Sequence, residues 1–391
     1  MKTSHSTRRT LFALAASLVL GCAVAGETLP RVDPPTDPSK SYWDTYVHYA
    51  YPHQYAVVAD GTGVKRELAY LDLYRGKATA RATAPVLVLI HGRSMHSGYW
   101  GNLIETPLDA GYRVISIDWS NTGKSLPRNL DKPLTRTLDD VRHMIHQLVT
   151  VHLQIPRAYY LGHSLGGQVL AGYLLDYPQA VERAVLYAPG GLEGFAGRTP
   201  AMIGWLAHND TLFKLIWASQ SLPDIGESEE KIEGKFYSTR KADNIPYLKR
   251  NDPLGAFMVA SHALALKGNP VELERFRQSH AWDSLASILE SGKDDPHAIF
   301  NRLDQLRVPT LLTFGTREPT IPIPGTGNEH LVDDLIAPLA QRVARKHLPL
   351  QIKLYEGAGH FLHTDLPDQF PRDVLQFLRT GRAPQPLYPA R

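Results

Sequence analysis

The sequence predicts an α/β fold, a mostly parallel central sheet flanked by helices, with a helical cap inserted after the sixth strand. Three observations carry this. Short, largely apolar runs recur along the chain: "VLVLI" (86–90), "RVISID" (113–118), "AYYLG" (158–162), "RAVLYA" (183–188), "TLLTF" (310–314) and "QIKLY" (351–355). Runs without polar alternation suit strands buried on both faces, the condition of a parallel sheet. Helical stretches lie between them, notably 135–152 and 165–177, giving the β-α rhythm of a doubly wound sheet. The rhythm then breaks once, between 189 and 308, where helical patterns replace buried strands.

The 391-residue chain starts with Lys2, Arg8 and Arg9 ahead of the apolar run "LFALAASLVLGCAVAG". A basic start, a short apolar run and small residues read as an export signal over 1–25, too short for a membrane span. "STRRTLF" resembles a twin-arginine signal; an ordinary signal that happens to hold two arginines is the other reading. Ala23-Val24-Ala25 is a small-x-small release site, while "VLGC" offers Cys22 for a lipid anchor. The expected destination is the periplasm or the exterior. Cys22 is the one cysteine in the chain, so a released form holds no thiol and takes its stability from its core.

Charge argues against a polyanionic partner. Of the 42 lysines and arginines, three lie in the signal, which leaves 39 against 39 aspartates and glutamates. A formally neutral mature chain carries no surplus of basic charge that calls for nucleic acid.

The remaining elements follow in order. Residues 26–54, including "ETLPRVDPPTDPSKS", are expected to form a surface arm. The core is expected over 55–193 and 301–380, opening on an antiparallel hairpin turned at Asp60-Gly61. The cap covers 194–300, where Phe195, Trp205, Phe213, Trp217, Phe257 and Trp282 either line its lower face or form its own core. Residues 381–391 are a tail.

The chemistry concentrates in "YYLGHSLGGQVLAGYLL" (159–175). Gly162-His163-Ser164-Leu165-Gly166 stands between an apolar strand and a helix. A serine at such a turn is forced toward positive φ, and its Oγ rises clear of the sheet beside the amides of a helix N-terminus. A serine hydroxyl needs a base. "YEGAGHFLHTDLP" offers His360 between strand and helix, with His363 as rival. The base needs a carboxylate to hold it. "LLTFGTREPTIP" offers Glu318, and "YAPGGLEG" offers Glu193 as rival. The order Ser164, Glu318, His360 is nucleophile, acid, base. Oxyanion donors are expected at the backbone N–H of Arg93, in "LVLIHGRSMHSGYW", and of Leu165. The Arg93 side chain either enters the pocket or is solvated, and His96 either touches substrate or stays at the surface, the second being the expectation.

Other clusters carry less. Asp139, Asp140, His143 and His146 share a helix face, but without cysteine or an H-E-x-x-H pattern they suit surface polarity better than zinc. "GTGNEH" after Pro324 is a glycine-rich turn rather than a phosphate loop.

The combination "HG" after the third strand, "GHSLGG", "GTREPTIP" and "GAGHFLHTDLP" resembles the capped enzymes of the α/β-hydrolase fold, over nearly all of 55–380. Two features depart from that pattern. Glu318 stands where aspartate is more usual, and "ISIDWSNTGKS" fills a place usually richer in glycine and arginine. The resemblance implies a serine hydrolase cleaving a small or medium carboxylic ester through an acyl-enzyme, with no metal or organic cofactor. Lactonase, thioesterase, amidase and carbon–carbon bond hydrolase use the same machinery and stay open. So does a catalytically silent binding protein, while an envelope scaffold rests on the export signal and arm alone.

Overall fold

The computed structural model describes residues 51–93, 95–125, 135, 137–194, 290, 295–322 and 330–389. The expected signal, nearly all of the arm, the aromatic residues of the cap and "GTGNEH" up to Glu329 lie outside the described residues.

The apolar runs form the strands of one sheet: β1 (Gln54–Ala59), β2 (Lys65–Leu73), β3 (Val86–Ile90), β4 (Arg113–Asp118), β5 (Ala158–His163), β6 (Val181–Tyr187), β7 (Thr310–Gly315) and β8 (Leu350–Tyr355). Among the described residues the order is β1-β2-β4-β3-β5-β6-β7-β8. β2 runs antiparallel to both β1 and β4, and every other pairing is parallel. Every residue of β3 and β7 is buried, as expected of strands covered on both faces.

The hairpin forms at the predicted place but turns through five residues rather than a tight Asp-Gly pair. The Asp60 carboxylate accepts the amides of Thr62 (3.0 Å) and Val64 (2.9 Å) and the Arg66 guanidinium (3.0 Å), which organises the longer loop.

Five helices of eight residues or more flank the sheet in the described region: α1 (Asn102–Asp109), α2 (Leu138–His146), α3 (Leu165–Asp176), α4 (Ala337–Lys346) and α5 (Gln369–Thr380). α1 packs on α5, and α2 packs on α3. α2 starts later than the apolar pattern suggested, because Thr137 caps it. The Thr137 Oγ1 accepts the Asp140 amide at 3.1 Å and donates to the Asp140 carboxylate at 2.7 Å, a reciprocal cap that sets the first turn. The helix then widens into a π-type segment, Gln147–His152.

C-terminal to the expected cap, the described chain packs on the core from Asp295, with Ala298 and Ile299 buried. The tail runs along β8. The Tyr388 amide donates to the Ile352 carbonyl at 2.8 Å, the Gln351 side chain bonds Gly381 and Ala383, and Lys353 Nζ donates to the Pro384 carbonyl at 3.0 Å. No helix among the described residues is long and apolar enough to cross a membrane.

Candidate active site

β5 ends at His163 and α3 starts at Leu165, so the whole reversal falls on Ser164, at φ 54° and ψ −121°. This is a strained conformation for a residue with a side chain, and it persists only where surroundings enforce it. Here they do. The Ser164 amide donates to the Tyr187 carbonyl at 2.9 Å, and its carbonyl accepts the amides of Gln168 (3.1 Å) and Gly190 (3.2 Å). The glycines on either side are required by space. A Cβ on Gly166 would collide with the carbonyl oxygens of Ile90 and His91, and one on Gly162 with the Gly166 backbone. α3 therefore butts directly against the end of β3.

His360 and Glu318 sit on neighbouring loops after β8 and β7. The His360 Nδ1 and Glu318 Oε2 are 2.8 Å apart, both side chains nearly inaccessible. Oε1 of Glu318 accepts the amides of Thr320 (2.8 Å) and Ile321 (3.3 Å), so the carboxylate is held from both sides. The loops are stitched together by Arg317 N to Ala358 O (2.9 Å) and Gly357 N to Thr316 Oγ1 (2.8 Å). An added Cβ on Gly315 would strike the Ala358 backbone. His360 reaches the elbow: its ring lies 4.6 Å from that of His163.

The loop after β3 passes beside Ser164, since a Cβ on Gly92 would stand 3.1 Å from the Ser164 Cβ. Leu165 follows Ser164 as the first residue of α3, and Arg93 follows Gly92 in the loop after β3. The Arg93 side chain is exposed. His96 is not at the surface as the sequence suggested: it is 1% exposed, and its Nδ1 accepts the Gly98 amide at 3.0 Å. A tight turn folds the ring inward.

The two rivals are placed differently. The His363 Nδ1 meets the Tyr187 hydroxyl at 2.9 Å, and burial pushes its pKa down to about 3. It is thus a neutral core imidazole. Glu193 lies on the loop after β6, 2% exposed, its carboxylate facing the amides of Gly191, Leu192 and its own residue without a well-formed hydrogen bond to any of them. Burial raises its pKa to about 7, and the nearby Glu318 charge adds a little. His360 therefore pairs with Glu318, and Glu193 stands close without taking that place. His143 and His146 face Tyr177 and Tyr173, with His146 stacked on Tyr177 at 4.1 Å between ring centroids. No described group of His, Cys, Asp or Glu is placed to hold a metal.

Four positions, His163, Tyr99, Asp118 and His53, escaped the sequence reading. His163, inside the quoted motif, bonds Tyr99 and the backbone of His360. Asp118 is wholly buried, accepts the amides of Ser97 (2.5 Å) and Lys124 (2.9 Å) and is pushed up to about 6 by burial. His53 joins it through Ser97 Oγ at 2.7 Å. Asp118 thus ties the loop after β3 to the loop after β4. A buried polar residue closing an apolar strand was the available signal for Asp118; Tyr99 offered none.

The family model for the alpha/beta hydrolase fold matches residues 85–365. The chain belongs to the alpha/beta hydrolase fold family. Its curated relatives include a 2-hydroxy-6-oxononadienedioate/2-hydroxy-6-oxononatrienedioate hydrolase of Paraburkholderia phymatum, 25% identical over 287 residues, which span 72% of this chain and 84% of that protein. Another is a 2-hydroxy-6-oxo-6-phenylhexa-2,4-dienoate hydrolase of Comamonas testosteroni, 24% identical over 296 residues, 75% of this chain and 87% of that one. Among solved structures, a probable hydrolytic enzyme of Pseudomonas aeruginosa is similar with a TM-score of 0.57 at 25% identity, over 84% of this chain and 95% of that chain. A thermophilic esterase of Thermogutta terrifontis shares the fold, with a TM-score of 0.56 at 17% identity, over 84% and 99% of the two chains. The chain is a hydrolase of this fold.

Proposed function

We propose that this alpha/beta hydrolase is an exported serine hydrolase that breaks a bond beside a carbonyl carbon through an acyl-enzyme on Ser164. The observation that carries the reading is the 2.8 Å pair of His360 and Glu318, with the His360 ring 4.6 Å from that of His163, the residue before a serine held at φ 54°. His360 takes the Ser164 proton as Oγ attacks the carbonyl carbon. The amides of Arg93 and Leu165 hold the developing oxyanion. The bond to the leaving group then breaks, and His360 returns the proton to it. Water, deprotonated by the same imidazole, releases the acid and restores the serine. Glu318 keeps Nδ1 protonated and supports the imidazolium in both halves.

The relatives shift the bond class away from the ester first expected. A 2-hydroxy-6-oxo-dienoate has no ester, amide or thioester, so its hydrolysis must break a carbon–carbon bond next to the 6-oxo group. The leaving carbon has no electronegative atom and must depart as a stabilised carbanion, which conjugation to the 2-oxo acid tautomer supplies. We place such an activated ketone acid first. A small or medium carboxylic ester is second: nothing in the pairing of His360 with Glu318 discriminates an ester carbonyl from a ketone, and the loop "DWSNTGKS" after β4 departs from the usual pattern.

Purified wild type and Ser164→Ala should be compared on 2-hydroxy-6-oxo-6-phenylhexa-2,4-dienoate, followed by its fading absorbance, and on p-nitrophenyl esters of rising chain length. Loss of turnover by about 10³-fold or more in the alanine variant is expected. Turnover of esters alone would reinstate the ester reading, and turnover surviving Ser164→Ala would refute the acyl-enzyme.

A further inference from the structure

His163 is 1% exposed at the foot of the elbow, with both ring nitrogens engaged. Nε2 lies 3.1 Å from the carbonyl oxygen of His360, and Nδ1 lies 2.7 Å from the Tyr99 hydroxyl. A carbonyl only accepts, so Nε2 carries the hydrogen. Nδ1 is then the acceptor, and the Tyr99 O–H donates to it. One tautomer satisfies the whole arrangement. The chain of contacts runs further: the Gly92 N–H faces the Tyr99 oxygen, and a Cβ on Gly92 would come 3.3 Å from His163 Nδ1. Three loops thus meet at one imidazole: that after β3 through Gly92 and Tyr99, the elbow, and that after β8 through the His360 backbone.

We propose that His163 is a positioning residue for the base, holding the His360 main chain by its Nε2–H while Tyr99 fixes the tautomer that makes this bond available. The inference rests on the serine hydrolase reading above and adds a second, concealed set of bonds behind Ser164, His360 and Glu318. An ordinary core histidine would be satisfied by any backbone carbonyl; this one takes the carbonyl of the base itself. The titratable groups facing its ring are Tyr99, Tyr187, His360, His363 and, at longer range, His91, with Phe361 and Trp100 completing its surroundings. Burial and the neighbouring imidazoles drive its pKa well below the ordinary value. It therefore stays neutral, with a single N–H, while His360 cycles.

Side-chain geometry separates this from plain core packing. Glutamine puts its amide nitrogen near the place of Nε2 and can still donate to the His360 carbonyl. Asparagine puts its amide near Nδ1 and cannot reach. His163→Asn should lower kcat by about 10²-fold, the cost of a base displaced by about an ångström, with KM little changed. His163→Gln should recover most of that loss. Tyr99→Phe should fall between them. A loosened His360 also loses part of its hold on Glu318, so the rising limb of the kcat/KM pH profile should move to lower pH in His163→Asn and stay in place in His163→Gln. Each variant is assayed on the substrate the wild type turns over best and titrated with a fluorophosphonate probe. Equal kcat in the asparagine and glutamine variants with an unmoved pH limb would overturn the proposal, whatever the melting temperatures. A wild type that neither turns over substrate nor labels at Ser164 would instead overturn the serine hydrolase reading beneath it.

Discussion

Glu193→Gln should stabilise the protein at pH 8 and leave it almost unchanged at pH 5. The carboxyl is 2% exposed and meets the amides of Gly191, Leu192 and its own residue only in poor geometry, which offsets little of the cost of burying its charge. Its pKa rises from 4.5 to about 7, chiefly because burial disfavours the charge. A raised acid binds its proton more tightly folded than unfolded. Its contribution to stability is complete below the unfolded value and is lost as pH rises through the folded one. With 1.36 kcal/mol for each pH unit between those values, the full loss is about 3 kcal/mol, most of it between pH 5 and 8. Glutamine is nearly isosteric with the neutral acid and has nothing to lose. Urea unfolding of both proteins at pH 5 and pH 8 measures this directly. The glutamine variant's advantage should grow by about 2 kcal/mol or more across that interval. An advantage that is constant with pH would mean that Glu193 holds its proton no more tightly folded than unfolded, and a wild type that gains on its variant as pH rises would mean that Glu193 is ionised and paired in the native state.

Glu318→Gln removes the negative charge beside His360 Nδ1 and should cut kcat by about 10³ to 10⁴-fold; a loss under tenfold in the same turnover assay would remove Glu318 from the reaction. Gly166→Ala drives a methyl into the carbonyls of Ile90 and His91 and should cost about 3 kcal/mol, read as a lower melting temperature. Arg142 is buried, donates to the Val169 carbonyl at 3.1 Å and pairs with Glu290 and Asp139. Arg142→Ala should destabilise by about 3 kcal/mol by stranding Glu290, and adding Glu290→Ala should cost less than the sum of the two changes.

Local features were legible in the sequence. The spacing of Gly162, Ser164 and Gly166 is a steric requirement met within five residues, so it announced the elbow at φ 54°. The turn bearing Glu318 and the loop bearing His360 follow β7 and β8 directly, and a parallel sheet brings the C-terminal ends of its strands to one edge. What stayed hidden depends on distance along the chain. Glu193 and Glu318 both follow strands at that edge, and only the 2.8 Å approach to His360 separates them. His163 sits in the motif, yet its partners lie 64 and 197 residues away. His96 looked like a loop histidine because nothing in "SMHSGYW" reveals that the turn closes inward. The π-type continuation of α2 has the same apolar periodicity as an ordinary helix.

The tail beyond α5 has a consequence for handling the protein. Among the described residues β8 is the last strand of the sheet, and a bare last strand is a template on which a second chain can add itself. Tyr388 already occupies the Ile352 carbonyl, and Gln351 and Lys353 are engaged by Gly381, Ala383 and Pro384. These residues shield the outer side of β8 through one backbone bridge and several side-chain bonds. A chain cut after Gly381 should keep its core yet self-associate, visible as an earlier elution in size-exclusion chromatography. Affinity tags are accordingly better appended after the tail than substituted for it.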